Sequence, residues 1–174
     1  MKLLGISGSL RAGSYNSMLV REAARVFEPS EFTFADMNLP LFNEDVEAEG
    51  MPGPVQALCD QIVAADAIVL STTEYNKGPS GVMKNMLDWV SRPRPAPMVG
   101  KPVAVLSASA GIAGGQRAMS TMYLFLIPFK VELITAAECN VGNAADAFDE
   151  DGRLKSKAYI TALERQMEAL KAAI

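Results

Sequence analysis

A three-layer α/β fold, one parallel sheet with helices on both faces, is predicted by three features of the sequence. Short apolar runs alternate along the 174 residues with longer segments whose apolar residues recur at three- and four-residue spacing. One of the runs, "AIVLSTT" from Ala67, is apolar without alternation, as a strand covered on both faces must be. No internal repeat, linker or low-complexity stretch divides the chain, so it reads as a single domain spanning residues 1–174.

The elements follow in order. "KLLGIS" is the first strand, and "SYNSMLVREAARVF" is the first helix, with Met18, Leu19, Ala23, Val26 and Phe27 on one face. "EFTFADM" is the second strand. After a loop containing Pro and Gly, Val55, Leu58 and Ile62 mark the second helix, started by Pro54 where a missing N–H costs nothing. The third strand is "AIVLSTT". "SGVMKNMLDWVS" makes the third helix through Val82, Met83, Met86, Leu87 and Val90, and the proline-rich "RPRPAPMVGKP" ends it. "VAVLSAS" is the fourth strand, Gly115 to Leu126 the fourth helix and "FKVELI" the fifth strand. Leu163, Met167, Leu170 and Ile174 define the last helix. Five strands interleaved with helices in this way predict the flavodoxin-like winding, a five-stranded parallel sheet in the order 2-1-3-4-5.

Composition excludes several function classes. A net charge of -4 with no basic run argues against nucleic acid, because binding to phosphate backbones needs clustered Lys and Arg. Cys59 and Cys139 stand alone in a chain without histidine, so zinc and iron–sulfur sites lack ligands, and both thiols read as inert core residues. "FDEDGRL" fails as a calcium loop, since Ala147 and Ala158 fall at its first and last ligand positions; it reads as a solvated turn. The apolar start is too short for a signal peptide. The longest apolar stretch, Met119 to Ile134, is broken by Pro128 and Lys130 and is too short to cross a bilayer. The expectation is a cytoplasmic protein with no membrane partner.

In a sheet of this winding, ligands bind beyond the carboxyl ends of the strands at the switch point between strands one and three. Three loops are therefore informative. The first, "GISGSLRAGSYNS", places Ser9, Arg11, Ser14, Asn16 and Ser17 around the start of helix one. Unpaired N–H groups and the helix dipole favour an anion there, and arginine adds a fork that matches phosphate oxygens. The loop has neither the Gly-Lys-Ser/Thr of a P-loop nor the G-x-G-x-x-G of a dinucleotide fingerprint. The second, after strand three, puts Glu74, Tyr75 and Asn76 at a strand end, where a tyrosine can lie beside a flat ring. The third, "SASAGIAGGQRA", is nearly all small residues and lets backbone N–H groups approach a ligand edge.

Together the loops resemble the NADPH-dependent FMN reductase family, which includes quinone, chromate and azo-dye reductases. "GSLRAGSYN" is similar to that family's S-x-R-x-x-S-x-N phosphate loop, and "EYNKGPSGVMKNMLDW" to its P-E-Y-N segment and following helix. Thr73 stands where the family usually has proline, and Ser80 where many members have another; the lack of the first proline predicts a less rigid second loop. The resemblance implies that Ser9, Arg11, Ser14, Asn16 and Ser17 hold an FMN phosphate. It further implies that Glu74, Tyr75 and Asn76 border the ribityl chain and ring, and that Ser109 to Gly111 approach the ring's pyrimidine edge. The implied activity is hydride transfer from NADPH or NADH to FMN and delivery of electrons to a small acceptor such as a quinone, flavin, azo compound or metal oxyanion.

Two other classes of function use the same fold. A flavodoxin-like electron carrier covers its ring with aromatics on both faces, whereas Ser107 to Gly111 contains none, which leaves room for nicotinamide and favours an enzyme. A non-catalytic binding module is the other. Relatives are commonly homodimers or homotetramers, and "MYLFLIPF" from Met122 supplies apolar surface for such an assembly.

Overall fold

The computed structural model describes all residues, 1–174. A six-stranded parallel sheet is built from β1 (Lys2–Ser7), β2 (Glu31–Phe34), β3 (Ala67–Thr72), β6 (Pro102–Ala108), β7 (Glu132–Ile134) and β8 (Asn140–Val141). Between β3 and β6 lies a small antiparallel hairpin of β4 (Glu74–Tyr75) and β5 (Gly78–Pro79). The major helices are α1 (Tyr15–Phe27), α3 (Gly53–Ala64), α4 (Gly81–Val90), α5 (Gln116–Leu126) and α7 (Lys157–Ala172). Two short ones, α2 (Glu44–Ala48) and α6 (Ala144–Ala147), carry no periodic apolar pattern long enough to be read from sequence.

The spatial order is β2-β1-β3-β6-β7, with β8 also pairing with β6. This keeps the flavodoxin-like winding but corrects its five-stranded form. The edge position is divided: β7 lies beside Pro102–Ala104 and β8 beside Ser107–Ala108 of the same neighbouring strand. Residues 135–139 leave the sheet between them, and the fully buried Gln166 of α7 takes up two of the backbone groups exposed by the break. Its Nε2 donates to Ile134 O at 2.6 Å and its Oε1 accepts from Ala137 N at 2.9 Å. The expected fifth strand also starts later, because Ile127–Phe129 form a 3-10 turn and Lys130 takes a left-handed φ of 54°. The expected second strand stops at Phe34, short of Met37.

Each central strand is buried on both faces, which accounts for the unbroken apolar runs. Leu4, Ile6, Ile68, Leu70, Val103 and Val105 face α3, α4 and α5, packing on Ile62, Met86, Trp89 and Met122. Leu3, Val69, Ala104 and Leu106 face α1 and α7, packing on Leu19, Phe27, Leu163 and Met167. Gly5 lets α1 lie close on β1: a Cβ there would stand 2.5 Å from Val20 Cγ1 and 2.8 Å from the Phe32 ring. All the strand carboxyl ends that matter for binding, those of β1, β3 and β6, emerge side by side at one end of the sheet.

Candidate active site

Loop one is built around the start of α1. Ser14 caps the helix, its Oγ accepting from Ser17 N at 3.3 Å. Within the chain the N–H groups of Ser9, Leu10, Ala12, Gly13, Tyr15 and Asn16 have no hydrogen-bond partner. Arg11 stands beside them, exposed and outside every ion pair, its guanidinium 5.1 Å from the centre of the Tyr15 ring. Tyr15 is in turn stacked on Phe148, with ring centres 6.3 Å apart. A concentration of free donors with one exposed, unpaired cation suits a phosphate.

The loop is held in place by polar bonds from its neighbours. Ser80 Oγ, the cap of α4, donates to Gly8 O at 2.6 Å. A proline at that position could not form this bond, so the departure at Ser80 tightens loop one. Asn16 forms the second tie. It is only 3% exposed, and its Oδ1 accepts from Ser71 Oγ at 2.8 Å and Ala108 N at 2.9 Å while Nδ2 donates to Ala108 O at 2.9 Å. One amide therefore joins the first turn of α1 to the carboxyl ends of β3 and β6. These three bonds direct its side chain inward, while Asn16 still lines the cleft and its N–H has no partner.

Loop two is a tight hairpin. Asn76 and Lys77 occupy its turn with φ of 50° and 67°, so Asn76 is explained by its tolerance of left-handed backbone and does not line the cleft. The Glu74 carboxylate accepts from the N–H groups of Arg117 and Ala118 at 3.1 and 3.2 Å, with Arg117 Nη1 3.8 Å away. The residue before α5 is Gly115, which has no side chain to cap the helix, and Glu74 supplies the cap across space with the sign the helix dipole favours. That brace restrains the loop expected to be loosened by Thr73. Tyr75 has no such task and is 60% exposed.

Loop three turns through Gly114 and Gly115, at φ of 60° and 87°. A Cβ on Gly114 would lie 2.5 Å from Asn140 C and O, so the left-handed turn also presses directly on β8. Ser107 Oγ closes the turn against Gly114 O at 2.7 Å.

A cleft of about 170 Å³ lies between the three loops. It is lined by Ser9, Arg11, Ser14, Asn16, Glu74, Tyr75, Ser109 and Ala110, all within the stretches expected from sequence, together with Tyr15, Thr73 and Ala108. Ser17 faces a neighbouring cavity instead, and Gly111 lies in loop three without lining the cleft, its carbonyl accepting from Gly114 N and Asn143 N. Tyr15 was missed; an aromatic between the Ser and Asn of the loop motif was the available signal. Elsewhere, Asp149 Oδ1 accepts from Asp151 N and Arg153 N in a self-contained turn. No helix is long and apolar enough to cross a membrane.

The chain matches the family model described as NADPH-dependent FMN reductase over residues 1–146. It is 43% identical to an NAD(P)H-dependent FMN reductase of Pseudomonas aeruginosa, with 98% of this chain and 94% of the relative covered. A quinone reductase of Pseudomonas putida is 35% identical, covering 87% and 83% of the two chains. Among solved structures, the flavoenzyme NAD(P)H:acceptor oxidoreductase FerB from Paracoccus denitrificans superposes with a TM-score of 0.87 at 29% identity, over 97% of this chain and 94% of that one. With phosphate-type donors, an open aromatic and a small-residue wall already meeting at the switch point, these matches show that the chain belongs to the NADPH-dependent FMN reductase family.

Proposed function

We propose that the chain is an NAD(P)H-dependent FMN oxidoreductase whose cleft takes FMN with the phosphate on loop one and the ring along Tyr75 and Ala108–Ala110, and that its acceptor is a quinone-type small molecule. The observation that carries the reading is the set of unpartnered N–H groups in loop one beside an unpaired Arg11, of which Ser9, Tyr15 and Asn16 line the cleft together with Arg11. Those donors fit a terminal phosphate, which needs several N–H groups and one guanidinium fork. The chemistry that bound FMN supplies is acceptance of a hydride from reduced nicotinamide and onward delivery of electrons.

This chain's residues do the positioning. Asn16 and Ser80 fix loop one relative to β3, β6 and α4, so the donors are arranged before any ligand arrives. Glu74 fixes the hairpin that carries Tyr75, and the ring of Tyr75 offers a flat apolar wall. Ala108 and Ala110 present no bulk, which leaves a bound ring approachable by flat partners such as nicotinamide and a quinone. The same reading places the protein in the cytoplasm and as a homo-oligomer, supported by the exposed Leu124 and Ile127 at the end of α5.

The deciding experiment is the absorbance spectrum of purified protein with extraction of its cofactor, then anaerobic titration with NADPH and NADH and a panel of quinone acceptors. Bound FMN, bleached by reduced nicotinamide and recoloured by quinone, is the expected result. A colourless protein that ignores added FMN would overturn the reading.

A further inference from the structure

A second cavity, of about 400 Å³, lies on the other side of loop one, between the carboxyl ends of β1 and β2. Ser9 and Arg11 belong to both cavities, so the two are separated only by that loop. Arg21, from the second turn of α1, enters the new cavity without any carboxylate partner. Its guanidinium lies 4.3 Å from the centre of the Phe34 ring. Stacking fixes the plane of the guanidinium while its N–H edge stays free to grip an anion.

Two further features mark a built site. Ser7 is 2% exposed, and its hydroxyl is paired with that of Ser17 at 3.0 Å. The pair places one proton between its two oxygens, and no other acceptor in the chain takes the second, so one donor remains for the cavity. Asp36 also lines the cavity; its Oδ1 accepts from Asn38 N and its other oxygen is free to take a hydroxyl or amine. Leu10, Phe34 and Met37 supply apolar wall. A cationic fork, a hydroxyl donor, a carboxylate and a flat apolar surface are the requirements of a phosphorylated nucleoside.

We propose that this cavity binds the adenosine end of NADPH, with Arg21 on its 2'-phosphate, Ser7 and Ser17 adding a donor, and Asp36 on a sugar or base donor. The proposal rests on the reading that FMN occupies the adjacent cleft. The net effect is a preference for NADPH over NADH, since the unphosphorylated ribose leaves Arg21 without a counter-ion.

Calorimetric titration of adenosine 2',5'-bisphosphate and of 5'-AMP into FMN-loaded protein tests it. The bisphosphate is expected to bind at least about tenfold tighter than 5'-AMP. Arg21→Ala should erase that difference, Arg21→Lys should restore only part of it, and the NADPH-to-NADH ratio of kcat/KM should fall in parallel. Arg21 is exposed, so its loss does not threaten the fold. FMN content, read by absorbance, should stay at the wild-type level in both variants. Equal binding of the two nucleotides by wild type, or a bisphosphate preference that survives Arg21→Ala, overturns the assignment. Loss of FMN from Arg21→Ala also overturns it, because the cavity would then be part of the cradle for FMN's own phosphate. Wild-type protein that takes up no FMN at all instead refutes the underlying reading of the cleft.

Discussion

Asn16 shows how one side chain can be chosen for chemistry and used for architecture. Replacing it with alanine strands Ser71 Oγ and both backbone groups of Ala108 in a buried position. The expected loss is about 2–4 kcal/mol, from two or three unmade bonds at the cost of a desolvated group each, read by urea denaturation. Asn16→Asp keeps the shape but turns an oxygen toward Ala108 O, so it should be no better than alanine above the carboxylate range. The motif places Asn16 in loop one, but spacing alone cannot say which way an amide points. Glu74 is the same case: its position at a strand end was legible, while its hold on the first turn of α5 depends on a glycine at the cap 41 residues later. Cys139 was read as inert, and burial pushes its thiol up to about 12 from an ordinary 9.0. The neutral form is therefore favoured by folding, a stabilisation fully present below pH 9.0 and lost as pH rises toward about 12. Cys139→Ala should lower stability throughout but flatten its decline in that alkaline window, as followed by denaturation at stepped pH.

At the scale of elements, periodicity located every long helix and the central strands, since those carry the apolar faces that make the core. It could not find β4, β5 and β8, which are two residues each and set by turn geometry and neighbours rather than by pattern. The split edge strand is the clearest instance. Nothing local in residues 135–139 announces the break, because the group that compensates it, Gln166, comes from α7. Gln166→Leu fills the same space without the two bonds, and a cost of about 1–3 kcal/mol is expected. Gly114→Ala should cost more than about 2 kcal/mol, from a strained φ together with a Cβ driven against the β8 backbone. Both changes should raise hydrogen exchange around β8 well before they affect β1 and β3, and uniform exchange across the sheet would deny the edge its separate role.

For the molecule as a whole, the winding brings three loops to one end of the sheet, and on the proposed reading FMN across them would tie together segments that otherwise meet through Asn16, Ser80 and Glu74. A ligand that binds only the folded chain adds about 2.7 kcal/mol at a free concentration one hundred times its dissociation constant. In a domain of this size that corresponds to a rise on the order of 5–10 °C in Tm. Ser9→Ala combined with Arg11→Ala removes a hydroxyl and the only guanidinium shared by the two cavities, both at the surface of loop one. Neither residue is a core or helix-cap group, so the double variant without FMN should melt within a degree or two of wild type, as ordinary surface changes do. With FMN its gain should shrink to a small fraction of the wild-type gain, because the phosphate loses its only side-chain cation while the N–H groups remain. Differential scanning calorimetry at several FMN concentrations separates the outcomes. Equal gains in the two proteins would mean that loop one does not anchor the ligand, whatever fills the cleft beside Tyr75.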